Sequence, residues 1–124
     1  MEKDWDSVLS KEEFFVCRKK GTEPAFSGKY NNHKENGTYL CKCCKKQLFK
    51  SNSKYDSGSG WPSFTTPISK ENIKYVKDSS HNLIRIEVQC SGCGCHLGHV
   101  FDDGPSPINK RYCINSLSLS FKKS

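Results

Sequence analysis

Two Cys-x-x-Cys pairs, Cys41-Lys42-Cys43-Cys44 and Cys90-Ser91-Gly92-Cys93, constrain this chain more than any other feature. Two residues between ligands let a tight turn aim both sulfurs at one ion, and Gly92 eases the second turn. Four thiolates suit a closed tetrahedral Zn²⁺ site with no open position for water. The pairs are widely separated in sequence, so one structural ion joins two distant hairpins, where a cross-link constrains the unfolded chain most. The expected ligands are Cys41, Cys44, Cys90 and Cys93. Spacing alone leaves two substitutes open, Cys43 in the first pair and Cys95 in the second. An open catalytic zinc on His96 or His99 is disfavoured, because four sulfurs already fill the shell.

A chain of 124 residues fits one domain, residues 1–124, that gains from such a staple. Seven Phe, five Tyr and two Trp argue against disorder. No apolar run is long enough to cross a bilayer, and Met1-Glu2-Lys3-Asp4 lacks the apolar region of a secretory signal. The expectation is therefore a cytoplasmic protein whose eight cysteines are metal ligands or reactive thiols, not a disulfide framework. The formal charge of +7 falls to about +5 once four thiolates and one Zn²⁺ are counted. Basic residues are scattered, with Arg18-Lys19-Lys20 the densest run, so neither nucleic acid nor a membrane is the expected partner.

Ser10-Lys11-Glu12-Glu13 matches a capping box and predicts a short helix ending before Gly21. Thr38-Tyr39-Leu40 and Gln47-Leu48-Phe49 flank the first Cys pair like two strands of a hairpin. From Leu83 to Val88, Ile84, Ile86 and Val88 alternate with Arg85 and Glu87. Leu117, Leu119 and Phe121 alternate with Ser116, Ser118 and Ser120. Short strands with Gly, Pro and Asn turns predict a mainly antiparallel β domain with short helical pieces near the N-terminus.

Four cysteines remain once zinc is satisfied: Cys17, Cys43, Cys95 and Cys113. On a strand, Arg111, Cys113 and Asn115 share one face, and the arginine favours a thiolate. Ser57 through Phe64 places Trp61 beside Gly60 and Pro62, a loop that holds an indole rigidly. His96 and His99 follow closely on the second Cys pair as candidate proton carriers.

These segments, in this order, closely resemble the methionine-R-sulfoxide reductases of the B type. The resemblance runs over nearly the whole chain: Gly21 through Phe26, both Cys pairs, Ser57 through Phe64, His96 through Pro105, and Arg111 through Ser116. It implies a β fold of two antiparallel sheets with zinc away from the chemistry. It implies reduction of methionine-R-sulfoxide, protein-bound or free, through a sulfenic acid on Cys113, with thioredoxin as reductant and the protein as a monomer. His96, His99 and Asn115 match the polar catalytic residues, and Trp61 the wall that receives the substrate methyl group. Phe64, Glu23 and Arg111 match the surroundings of the substrate. Many members carry a resolving cysteine where this chain has Ser59, and others where it has Ser27. Here recycling falls to direct attack by an external thiol or, second, to Cys17. Ile108-Asn109 replaces the usual Thr-Gly, and Asn keeps the turn because it adopts left-handed backbone.

Competing readings are a non-catalytic zinc module that binds a protein or nucleic acid, and a zinc hydrolase. Arg111-Tyr112-Cys113 and the Trp61 loop argue against the first.

Overall fold

The structure, a computed structural model, describes residues 8–79 and 84–123. Its one α-helix there, α1 (Lys11–Lys19), starts where the capping box places it. The Glu13 backbone N–H donates to Ser10 Oγ at 3.1 Å, and the Ser10 N–H donates back to Glu13 Oε1 at 2.9 Å. Lys20 in left-handed conformation ends the helix, and Gly21 N–H closes it on Phe15 O. Val16 and Cys17 form its buried stripe.

The strands are β1 (Gly37–Cys41), β2 (Gln47–Lys50), β3 (Lys54–Tyr55), β4 (Ser63–Phe64), β5 (Ile73–Asp78), β6 (Arg85–Cys90), β7 (His96–Phe101), β8 (Arg111–Ile114) and β9 (Leu119–Lys123). They form a three-stranded sheet, β2-β1-β9, and a six-stranded sheet, β3-β4-β8-β7-β6-β5, every ladder antiparallel. The expected two-sheet β fold and the hairpin around the first Cys pair are both present. Leu83 lies outside the described residues.

Aromatic side chains from both sheets make the core. Phe49 stacks on Phe64 with ring centroids 4.4 Å apart, Phe64 meets Tyr39 edge-on at 5.1 Å, and Phe121 closes on Tyr39 at 4.9 Å. Full burial of each such ring is worth about 1.5–3 kcal/mol. Along β8 the residues alternate: Tyr112 and Ile114 enter the core, while Arg111 and Cys113 stay partly exposed on the opposite face.

Two sequence expectations reverse. Val88 is buried as expected, but Ile84 and Ile86 are exposed while their polar neighbour Glu87 is buried. A polar site, not the core, claims that face of β6. Ser116 and Ser118 are also buried, in a 3-10 turn before β9 rather than on an outer strand face. Ser118 Oγ donates to His96 O at 2.6 Å and Ser116 Oγ accepts from Tyr30 N–H at 3.2 Å, so both hydroxyls are satisfied.

Among the described residues, no helix is long and apolar enough to cross a membrane.

Candidate active site and metal centre

The two Cys turns fold alike. Lys45 N–H donates to Cys41 O at 2.9 Å, and Gly94 N–H donates to Cys90 O at 2.8 Å. Lys45 and Gly94 both have left-handed backbone, with φ of 67° and 79°. The sulfurs of Cys41, Cys44, Cys90 and Cys93 all lie within 4.8 Å of one another. Cys41–Cys93 and Cys44–Cys90 are 3.6 and 3.5 Å apart. Tetrahedral Zn²⁺ with 2.3 Å bonds needs sulfur edges of about 3.8 Å. The quartet therefore fits a tetrahedral metal ion. Cys43 and Cys95, the substitutes that spacing left open, instead join Cys17 in a second group of three sulfurs, again within 4.8 Å of one another, that adjoins the quartet at Cys41 and Cys93.

Cys113 opens onto a cleft of about 280 Å³, lined also by Thr22, Ser59, Trp61, Arg85, Gly98, His99, Phe101, Arg111 and Asn115. The β7–β8 register sets His99 opposite Cys113 and Phe101 opposite Arg111. Gly98 permits this approach, since a Cβ there would sit 1.9 Å from Cys113 O.

Three of the expected site residues stand behind the cleft instead of lining it. His96 is buried, its Nδ1 2.7 Å from Glu87 Oε2 and its ring 5.7 Å from that of His99. An irregularity in the β6–β7 ladder explains how two histidines three residues apart share a face. Gln89 pairs with His96 and Val88 with Gly98, which leaves Leu97 as an extra residue. Phe64 is fully buried in the aromatic core and shapes the site only through β4. Glu23 is buried too, and its side chain accepts from Leu117 N–H at 2.9 Å. Its backbone, however, ties the site together. Glu23 O accepts from Trp61 Nε1–H at 2.9 Å, and Glu23 N–H donates to Asn115 Oδ1 at 3.0 Å. Asn115 Nδ2 donates one proton to Leu97 O at 3.0 Å and keeps a second.

Burial pushes the Cys113 thiol up, and the Arg111 charge with the Ser59 and Arg111 hydrogen bonds only partly offsets it. The thiolate expected from Arg111 alone is thus not the resting form. That guanidinium is shared with other partners: Nε and one terminal nitrogen donate to the Asp103 carboxylate at 2.8 and 3.1 Å, and its carbon lies 4.4 Å over the Phe101 ring. His99 is pulled below its usual value, first by burial and then by Arg85 and His96, against the Asp78 carboxylate. The neutral ring donates Nε2–H to Asp78 Oδ2 at 2.8 Å, which leaves Nδ1 as its basic nitrogen. Burial alone would lift the Glu87 carboxyl, but hydrogen bonds from Gln89 and His96 and the Lys20 charge hold it below the usual range.

Ser59, a position where the resemblance puts a resolving cysteine in many members, lines the same cleft as Cys113. Ser27 is exposed and donates to Pro24 O at 2.6 Å. Cys17 is 1% exposed among the other two sulfurs and does not line the cleft. The role of Asp78 went unseen in the sequence, where a lone acid on a strand carries no signal. Asn109 has the left-handed backbone expected of it, with φ 62°.

The SelR domain matches residues 9–123. This chain belongs to the SelR family. Its relatives include the peptide methionine sulfoxide reductase MsrB of Saccharophagus degradans, 56% identical over 96% of this chain and 89% of that protein. The MsrB of Acinetobacter baylyi is 54% identical over 98% and 87%, respectively. With SelR membership and MsrB relatives at this identity, the protein is an oxidoreductase that reduces peptide methionine sulfoxide. The fold alone also resembles the Yippee-like domain of Mis18, with a TM-score of 0.57 at 16% identity over 73% of this chain and 98% of that one.

Proposed function

We propose that Cys113 reduces methionine-R-sulfoxide in oxidised proteins by direct attack, and that an external thiol such as thioredoxin regenerates it. The observation that carries this reading is the cleft itself. It sets one partly exposed thiol among an indole, a neutral imidazole and an amide with a spare proton. Trp61 receives the substrate's methyl group, while Asn115 and His99 face the oxygen.

Because burial keeps Cys113 protonated, its proton must leave as the sulfur attacks. His99 Nδ1 takes that proton and returns it to the sulfoxide oxygen, which gains negative character as the S=O bond breaks. Two electrons pass from the Cys113 sulfur to the methionine sulfur, and the oxygen stays on Cys113 as a sulfenic acid. Two reductant thiols then restore Cys113, releasing water and leaving their own disulfide. His96 and Glu87 act as positioning residues behind His99.

In this reading the Cys41/Cys44/Cys90/Cys93 quartet holds one structural Zn²⁺, which pins the β1–β2 and β6–β7 turns and takes no part in the reaction. All eight cysteines are free, which fits a reducing cytoplasm.

The test is turnover of dabsyl-methionine-R-sulfoxide with dithiothreitol, then mass spectrometry after one turnover without reductant. The expected product is a dimedone-reactive Cys113, with Cys113→Ser inactive and normal in metal content. A turnover that survives Cys113→Ser defeats the proposal, and a disulfide from Cys113 to Cys17 defeats direct recycling.

A further inference from the structure

We propose that Cys17, Cys43 and Cys95 form a second metal site, for a soft monovalent cation of the Cu(I) class. The three sulfurs come from three places: helix α1, the turn after β1 and the turn before β7. They nevertheless converge within 4.8 Å of one another. Their residues are 1%, 9% and 0% exposed, so the site is dry. A planar three-sulfur shell with bonds of about 2.3 Å has edges of about 4.0 Å, within the span observed.

The donor set decides the cation. The group holds sulfur and no oxygen, so Mg²⁺ and Ca²⁺ are not its ions. Soft thiolates select Cu(I), zinc or iron–sulfur centres. A structural zinc closes with four ligands and an iron–sulfur cluster needs four cysteines, whereas this group offers three. A disulfide between any two would leave the third sulfur idle.

The surroundings suit an anionic sulfur group. One Arg18 nitrogen lies 4.0 Å from Cys43 Sγ and 3.8 Å from Cys93 Sγ, and another donates to Cys93 O at 3.0 Å. The guanidinium thus sits between the trio and the quartet and offsets negative charge in both. Without metal, the Cys17 and Cys95 thiols donate to Leu117 O and His96 O, each at 3.6 Å. On binding, ligating thiols release their protons to solvent and no atom changes oxidation state.

The test titrates the zinc-loaded full chain with tetrakis(acetonitrile)copper(I) in oxygen-free buffer, against bicinchoninate as competitor, while released zinc is followed. The first equivalent should bind without zinc release, and X-ray absorption should show three sulfur neighbours. Cys17→Ser should weaken that equivalent by at least about 100-fold, and Cys113→Ser should leave it unchanged. Zinc release matching the first equivalent overturns the proposal, as does loss of binding in Cys113→Ser with retention in Cys17→Ser. If Cys17→Ser does not fold, the absorption spectrum of the unaltered chain decides: two sulfurs, or a mixed nitrogen–sulfur shell, overturns it.

Discussion

Gly98→Ala should damage both stability and turnover, for a reason visible in one distance. The new methyl group would meet Cys113 O at 1.9 Å, with Cys113 C and Ile114 Cα at 3.0 and 3.1 Å. An ordinary carbon–oxygen contact is about 3.3 Å, so β7 and β8 must part by about 1.4 Å. Both opposing groups are backbone and cannot rotate away. Overpacking of this kind costs about 1–3 kcal/mol. Weakening two ladder hydrogen bonds adds about 1 kcal/mol each. A loss of about 3 kcal/mol or more, at a urea slope of about 2 kcal/mol/M, lowers the unfolding midpoint by about 1.5 M. The shift also separates His99 from Cys113, and misplacement by about 1 Å costs about 100-fold in rate. Urea unfolding followed by tryptophan fluorescence, with kcat/KM measured well below the midpoint, reads both effects. Gly58→Ala is the control: its φ of 74° carries the left-handed cost of about 1–2 kcal/mol, but the space around it is open. A Gly98→Ala midpoint within about 0.5 M of the parent, with kcat/KM within about threefold, refutes the packing argument.

Three further outcomes follow from the site. Chelation should abolish circular dichroism and activity together, since a structural zinc contributes about 10–16 kcal/mol against a total stability of about 5–15; activity lost with the fold intact points instead to a catalytic metal. His99 titrates below its usual 6.5, so the unfolded chain takes up a proton that the native ring refuses; this contribution costs stability as pH falls below 6.5, and the acid limb of kcat/KM should lie below 6.5 too. Asp78→Asn removes a contribution that raises His99, so the limb should move lower still, and an upward move contradicts the assignment. Ser59→Cys puts a thiol in the same cleft as Cys113, and one turnover without dithiothreitol should then consume two free thiols, counted by Ellman's reagent, where the parent forms no disulfide.

The sulfur quartet, the helix cap and the first hairpin were legible because each depends on neighbours in sequence: a Cys spacing, a Ser with Glu three residues on, an apolar alternation. Cys113, Trp61 and His99 were singled out through several separated motifs taken together, and the structure gathers all three in one cleft. The alternation along β6 held only in part: Val88 is buried as expected, but Glu87 gains two hydrogen bonds and a lysine only in the folded sheet, and it is buried while Ile84 and Ile86 stay exposed. Phe64 and Glu23 came from the resemblance alone, as surroundings of the substrate. Strand pairing carries the first into the core, and a backbone strap carries the second beneath the indole. Asp78 and the sulfur trio were illegible because their members meet only through long-range contacts.

The extra residue at Leu97 has a consequence for how this chain can change length. Loops ordinarily accept insertions and deletions. Between Cys90 and His99 the count of residues is a matter of parity: adding or deleting one would turn either the second histidine or the sulfur turn to the wrong side of the sheet. Natural drift and laboratory shuffling alike should spare that stretch and spend their variation elsewhere, for example in the exposed bend from Pro105 to Lys110.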